Sequence, residues 1–197
     1  MRKNLLRFCM ASVMSISVFG FSYSVVGQSA TTEQEEQKSG TDEAAQEERR
    51  QQMVREAYRK FEKGIQSDDE EERVKAIEEM LPKKEHLEKL FGKEDAEVLW
   101  KAFQPTFKQM KENTESFSEQ FMEVAIEVDV DDIRLSGEGM YTSLLEVIPK
   151  EVYAYEIVVT YIEGGAGAGT YFVIGEEVCF IQGADAIPDY LKSLDKD

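Results

Sequence analysis

The side chains that most often perform catalysis are few and far apart in this sequence. The chain contains one histidine, His86, and two cysteines, Cys9 and Cys179. His86 lies in the charged segment KKEHLEKLF, which has the pattern of an amphipathic helix, whereas Cys179 lies in an apolar segment with the pattern of a strand. No Gly-x-Ser-x-Gly sequence is present. We therefore predict that His86 is a surface residue, that Cys179 is a small buried hydrophobic residue, and that the chain has no catalytic nucleophile.

The glycine-rich segment GGAGAGT, residues 164–170, has a superficial likeness to a phosphate-binding loop. A P-loop requires a lysine after its last glycine and a helix whose N-terminus faces the phosphates. Here Thr170 follows Gly169, and the next segment has the pattern of a strand. The segment therefore predicts a hairpin loop, and we expect no bound cofactor.

Several carboxylates lie along the first predicted strand. Glu127, Asp129 and Asp131 share one side of it, and Asp132 comes next in the sequence. Grouped carboxylates are the ligands that Ca²⁺ prefers, but the spacing of a calcium-binding loop around a glycine is missing. One histidine and two cysteines are also too few for a zinc site with four nitrogen or sulfur ligands. We therefore interpret these acids as a solvated strand face and expect no metal site.

Tyrosines are concentrated in the C-terminal third of the chain. They allow two interpretations: tyrosines on a concave sheet could line a pocket or a groove for a partner, or they could simply pack within strands. The second interpretation is favoured because tyrosine has a high strand propensity. Six of the eight tyrosines lie there, at Tyr141, Tyr153, Tyr155, Tyr161, Tyr171 and Tyr190.

The N-terminus has the pattern of a secretory signal peptide. Three basic residues precede an uncharged run from Phe8 to Thr32, and small residues lie towards the end of this run. We predict a signal peptide over residues 1–27, with an uncleaved membrane anchor as the alternative. The expected location is secreted, periplasmic or in the cell envelope, with membrane contact only if the segment stays uncleaved. Cleavage leaves one thiol, Cys179, so an intramolecular disulfide is excluded.

The chain has 40 acidic and 23 basic residues, for a formal net charge of −17. Removal of residues 1–27 takes away three positive charges and no negative one, which leaves −20. Such an excess of carboxylates argues against binding to nucleic acid, which needs local positive charge. Residues 28–42 are rich in Gln, Glu, Ser and Thr and predict a disordered acidic tether. Residues 43–197 predict one domain.

Helical periodicity dominates the first part of this domain. A helix from about residue 43 is closed by Gly64 and Ser67, and one of its faces carries the stripe Val54, Ala57, Tyr58, Phe61 and Ile65. A second helix is predicted over residues 68–81, with a capping box from Ser67 to Glu70. A short third helix has Pro82 in its first turn and stops at Gly92. A longer helix is predicted over residues 94–121, with a kink or break near Gln104 caused by Pro105.

Strand periodicity follows. We predict strands over residues 124–130, 153–161, 170–174 and 177–181. A bulge at Asp131-Asp132 and an irregular segment over residues 136–150 separate the first two strands, and Gly175-Glu176 form a two-residue turn between the last two. A final helix is predicted from Pro188 to Leu194. Helices followed by antiparallel strands predict an α+β fold. This layout is similar to that of nuclear-transport-factor-2-like domains, in which helices pack on one face of a curved, cone-like sheet.

Two functional hypotheses fit these residues. The first is an exported, non-enzymatic binding module whose sheet contacts an unknown protein or small-molecule ligand. The second is a small hydrolase or isomerase that uses carboxylates and tyrosines for acid–base chemistry in a pocket between sheet and helices. A buried carboxylate that faces tyrosine hydroxyls inside a pocket would favour the enzyme. We predict no catalytic residue from the sequence and favour the binding module.

Overall fold

The computed structural model describes residues 36–119, 125–136, 141–161 and 166–194. In chain order, the elements are α1 Glu36–Ile65, α2 Glu70–Met80, α3 Lys84–Phe91, α4 Lys93–Glu112, α5 Thr114–Glu119, β1 Ala125–Asp132, the single turn α6 Ile133–Ser136, α7 Thr142–Val147, β2 Tyr153–Tyr161, β3 Ala166–Ile174, β4 Glu177–Ile181, a 3₁₀ turn Ala184–Ala186, and α8 Ile187–Leu194.

The four strands form one antiparallel sheet in the order β1-β2-β3-β4. Tyr155 on β2 pairs with Asp132 on β1 and with Tyr171 on β3. The turn between β3 and β4 consists of Gly175 and Glu176, as predicted, and Gly175 has a φ of 67°. A positive φ at the first turn position is what a type II′ turn requires and what glycine adopts without strain.

Helices cover both faces of the sheet. On one face, Val54 and Tyr58 of α1 pack with Tyr155, Ile157 and Val159 in a buried cluster. The α+β class is therefore confirmed, with helices first and the sheet later. Contrary to the cone-like layout, helices are not confined to one face, because Ala154 of β2 and Phe172 and Ile174 of β3 make the opposite face apolar as well. The opposite face buries Ala154, Phe172, Cys179 and Ile181 against side chains of α3, α4, α7 and α8, such as Leu87, Leu99, Leu144 and Ile187.

Helix α1 begins at Glu36 and therefore includes seven residues that the sequence analysis assigned to the tether. Glutamate, glutamine and alanine are good helix formers, and Glu47 and Arg50 anchor this half of the helix on Tyr155. The proposed signal peptide and residues 28–35 lie outside the described residues. Within the described ranges, no helix is both long and apolar enough to cross a membrane.

Three further predicted helix boundaries are wrong. Helix α3 begins at Lys84 with Lys83 as its N-cap, so Pro82 precedes the helix and is not in its first turn. The N-cap of α2 is Asp69, whose side chain accepts the N–H of Glu71, whereas the hydroxyl of Ser67 donates to Glu72. Helix α4 continues through Pro105 without a break near Gln104 and ends at Glu112, with Asn113 as its C-cap, so the predicted helix 94–121 is divided into α4 and α5. Pro105 lies on the exposed face of α4, where water can satisfy the carbonyl that loses its helical partner.

The end of β1 also differs from the prediction. The irregularity in the β1–β2 register lies between Ala125 and Glu127, not at Asp131-Asp132. Asp132 accepts the N–H of Arg134 at 2.7 Å, which turns the chain into α6 and buries Ile133. In the segment 136–150, predicted as irregular, residues 142–147 form helix α7.

Candidate functional site

A groove of about 390 Å³ lies between α1, α2 and the β3–β4 hairpin. The lining residues of each helix recur every three or four positions, so each helix presents one face to the groove. Apolar side chains form most of the lining surface, and charged side chains from both helices complete it. The lining consists of Ala57, Lys60, Phe61, Lys63, Gly64, Glu72, Lys75, Ala76, Glu79, Met80, Tyr171, Val178 and Phe180.

The charged groups of the groove carry an excess of positive charge. Three lysines and two glutamates line it, which gives a net charge of +1 in a chain of −17. Lys60 pairs with Glu79 at 2.9 Å and so connects α1 to α2. Among the described residues, neither Lys63 nor Lys75 forms an ion pair. The groove therefore offers two lysines whose charge no neighbouring carboxylate neutralises directly.

A small residue on each helix sets the helical wall of the groove. A Cβ atom placed on Gly64 would lie 2.6 Å from the Cβ atom of Ala76, so the backbones of α1 and α2 approach closely at this point. Helix α1 ends at Ile65, between Gly64 and Ser67, in agreement with the predicted end. The small pair also determines how closely the two helical walls approach.

The strand wall depends on Phe180, whose ring packs beside Tyr171 with centroids 5.2 Å apart. A Cβ atom on Gly169 would lie 2.6 Å from Phe180 Cε2, so the ring occupies the space that a side chain at Gly169 would fill. Phe180 also lines a second cavity of about 30 Å³ between β4 and α4. The glycine-rich segment is therefore not the predicted hairpin loop from 166 onward; it is strand β3, and Gly169 gives room to Phe180.

His86 is buried, with 3% of its surface exposed, so the prediction of a surface residue is wrong. Its Nδ1 atom accepts the backbone N–H of Lys83 at 3.3 Å, which leaves the ring proton on Nε2. Nε2 lies 3.2 Å from Oε2 of Glu177, and Lys83 Nζ donates to the other oxygen at 2.9 Å. Hydrogen bonds from Lys83 and His86 lower the pKa of Glu177. His86 thus connects the N-terminus of α3 to β4.

Cys179 is buried as predicted, with 2% of its surface exposed. Burial raises the pKa of its thiol to about 12, because the thiolate would lose its hydration. The thiolate is the reactive form of cysteine, so Cys179 is a poor nucleophile at neutral pH.

The acids of β1 are placed as the strand pattern predicts. Glu127, Asp129 and Asp131 are exposed on the strand, and Asp132 is half-buried. Burial raises the pKa of Asp132, although the backbone N–H of Arg134 opposes this effect. Nowhere in the described residues do three or more carboxylate, histidine or cysteine side chains form a group suited to a metal ion.

A partly buried polar cluster connects α1 to β2. The hydroxyl of Tyr155 donates to Glu47 Oε2 at 3.0 Å and accepts from Arg50 Nε at 3.1 Å. Arg50 also donates to Glu47 at 2.8 Å and stacks 3.6 Å above the ring of Tyr153. Desolvation raises the pKa of Tyr155, so its hydroxyl stays protonated. Each polar group in this cluster has a partner, which is typical of a structural anchor.

A second tyrosine–carboxylate pair lies on the opposite face of the sheet. Tyr141 donates to Glu156 Oε1 at 2.8 Å, and the hydroxyl of Thr170 lies 3.5 Å from that of Tyr141. Burial also raises the pKa of Tyr141. Neither this pair nor the Tyr155 cluster lines the groove or the cavity beside Phe180. Tyr155 and Tyr171 are buried in the core cluster beside α1, which agrees with the favoured interpretation of packing within strands, and Tyr171 also lines the groove.

The groove could not be predicted from the sequence because its lysines lie on the polar faces of two amphipathic helices. One signal was present: Gly64 and Ala76 are small residues within helical periodicity, which often marks a close approach of two backbones. The spacing of these residues along the chain carried no information about the hairpin that forms the third wall.

The residue types in the groove and in both clusters occur on many unrelated folds, so they do not identify a family by themselves. The α+β architecture likewise supports many functions. No protein-family model matches this chain, and no curated protein or solved structure is significantly similar to it.

Proposed function

We propose that this protein is an exported, non-enzymatic binding module that holds a ligand in the groove between α1, α2 and the β3–β4 hairpin. The groove itself carries this proposal. Its volume of about 390 Å³ falls within the range of about 300–1,000 Å³ that is usual for small-molecule sites. An apolar floor with a few charged groups is the usual composition of such a site.

The state of the potentially catalytic residues supports binding over catalysis. His86 uses both ring nitrogens to connect α3 to β4, and Cys179 is a buried thiol with a raised pKa. The hydrolase or isomerase hypothesis requires a tyrosine and a carboxylate beside a substrate. The Tyr141–Glu156 pair is the best candidate, but it lies outside the groove, so we favour the binding module.

Export is part of the proposal and rests on the sequence pattern of residues 1–27. If the segment is a cleaved signal peptide, mass spectrometry of the protein recovered outside the cytoplasm will give Gln28 as the first residue. Recovery of the unprocessed chain in the membrane fraction would instead support the anchor.

The groove is tested with a neutral fluorescent probe, N-phenyl-1-naphthylamine. We expect it to bind the full chain and to lose at least about tenfold in affinity when Ala57→Phe fills the groove, because the added ring occupies the apolar site. The matched control is Gln52→Phe, which adds the same ring to the same helix at an exposed position outside the groove.

Two outcomes would contradict this proposal: no measurable binding of the probe, or equal loss of binding in the two variants. Thermal melts of both variants verify that each protein is folded. Since Ala57 and Gln52 are both outside the buried core, neither substitution removes a core contact.

A further inference from the structure

We propose that the ligand of the groove is a single-tailed amphiphile with an anionic head group, whose head contacts Lys63 and Lys75 and whose tail lies on Phe180. This inference rests on the proposed binding function and specifies the chemical class of the ligand. It follows from three properties of the groove: its charge, the division of polar and apolar residues between its walls, and its size.

Charge favours an anion. Lys60 is already paired with Glu79, whereas Glu72 accepts a hydrogen bond only from the neutral hydroxyl of Ser67 and keeps its negative charge in the groove. Among the described residues, Lys63 and Lys75 are left without a carboxylate partner. These two lysines against Glu72 leave the groove with a net charge of +1 on this strongly acidic chain, and that charge favours a negative group over a positive one.

The two walls of the groove differ in polarity. Every charged lining residue belongs to α1 or α2, whereas the strands contribute Tyr171, Val178 and Phe180. Phe180 is half-buried, so part of its ring remains available to a ligand. A molecule with one charged end and one apolar end matches this division, because its head can face the helices while its tail covers the strand wall.

Size and head-group geometry narrow the ligand further. A volume of about 390 Å³ lies near the lower end of the range of about 300–1,000 Å³ for ligand sites, which favours one tail over two. The lining residues include lysine but no arginine. Lysine binds an anion as a point charge without the two-pronged geometry of arginine, so a carboxylate and a phosphate monoester are both suitable heads.

The test measures displacement of the neutral probe N-phenyl-1-naphthylamine from the full chain by ten-carbon amphiphiles. Decanoate and decyl phosphate supply the two anionic heads, and decylammonium supplies a cationic head on the same tail. We expect each anion to displace the probe at about a tenfold lower concentration than the cation, since a charge contact of this kind changes affinity by about that factor. The preferred anion identifies the class of head group.

The double variant Lys63→Gln/Lys75→Gln is expected to remove the preference for anions while leaving binding of the neutral probe unchanged. Its control is Lys101→Gln/Lys108→Gln, which changes the net charge of the chain equally at exposed positions on α4 outside the groove. If the groove double variant fails to fold, the comparison of decanoate with decylammonium on the unmodified chain still decides the question.

The failure of this inference is distinguishable from failure of the proposed function. If the probe binds but the anions and the cation displace it equally, the amphiphile inference is wrong and the binding function stands. An anion preference that persists in the groove double variant also overturns the inference, as does stronger displacement by an acidic peptide than by decanoate. If the probe does not bind at all, both proposals fail.

Discussion

Tyr155→Ala is expected to lower the free energy of unfolding by about 3–5 kcal/mol, the cost of deleting a large buried ring. Tyr155 is fully buried and lies in the cluster where α1 packs on the sheet. Its removal leaves a cavity between Val54 of α1 and the strands on either side of β2. Urea unfolding followed by circular dichroism measures this loss as a lower midpoint.

The control Tyr155→Phe keeps the ring and removes the hydroxyl. Glu47 and Arg50 remain hydrogen-bonded to each other at 2.8 Å, so neither charge loses its main partner. We therefore expect a loss of only about 1 kcal/mol, the usual net value of one hydrogen bond. Equal losses in the two variants would contradict this account, because they would mean that the polar cluster, and not the ring, holds α1 on the sheet.

The parts of the fold that local patterns determine could be predicted from the sequence. Alternation from Tyr153 to Tyr161 predicts strand β2, and the structure has that strand with the same bounds. Gly92 ends α3 with a φ of 82°, and Gly175 begins the two-residue hairpin turn. Each of these features depends on the backbone conformation that a residue and its near neighbours prefer, so each is visible in a short window.

His86 shows why other features could not be predicted. Its position on the polar face of a short helix indicates exposure to water, yet β4 covers it. The partner that satisfies Nε2 is Glu177, which lies 91 positions further along the chain. A polar side chain can be buried when such a partner exists, but helical periodicity does not identify a partner on a distant strand.

The groove likewise depends on contacts between residues that are distant in the sequence. The faces of α1 and α2 are visible in the sequence, and Ala57 and Phe61 were placed on the correct stripe. The groove also requires the close approach at Gly64 and Ala76 and the position of Phe180 over Gly169. Both are contacts between elements that are separate in the chain, so the sequence predicts the walls without their arrangement.

Glu62→Ala is expected to lower the free energy of unfolding by about 2–3 kcal/mol, because it leaves a buried backbone N–H without an acceptor. Glu62 is 6% exposed, and its Oε1 atom accepts the N–H of Ala125 at 2.9 Å. Its Oε2 atom accepts from Arg59 at 2.8 Å, and Arg59 also donates to the carbonyl of Ala125 at 3.0 Å. Glu62 and Arg59 of α1 therefore satisfy both the backbone N–H and the backbone carbonyl of Ala125, the first residue of β1.

The matched variant Glu62→Gln separates this hydrogen bond from the charge. Its amide oxygen can still accept the N–H of Ala125, and Arg59 is 44% exposed, so water can replace the lost carboxylate. We expect a loss below about 1 kcal/mol, as for other ion pairs that reach solvent. Urea unfolding gives both values, and amide hydrogen exchange at Ala125 should accelerate in Glu62→Ala alone. If the two variants lose equal stability, the ion pair with Arg59, and not the acceptor for the first residue of β1, attaches this strand to α1.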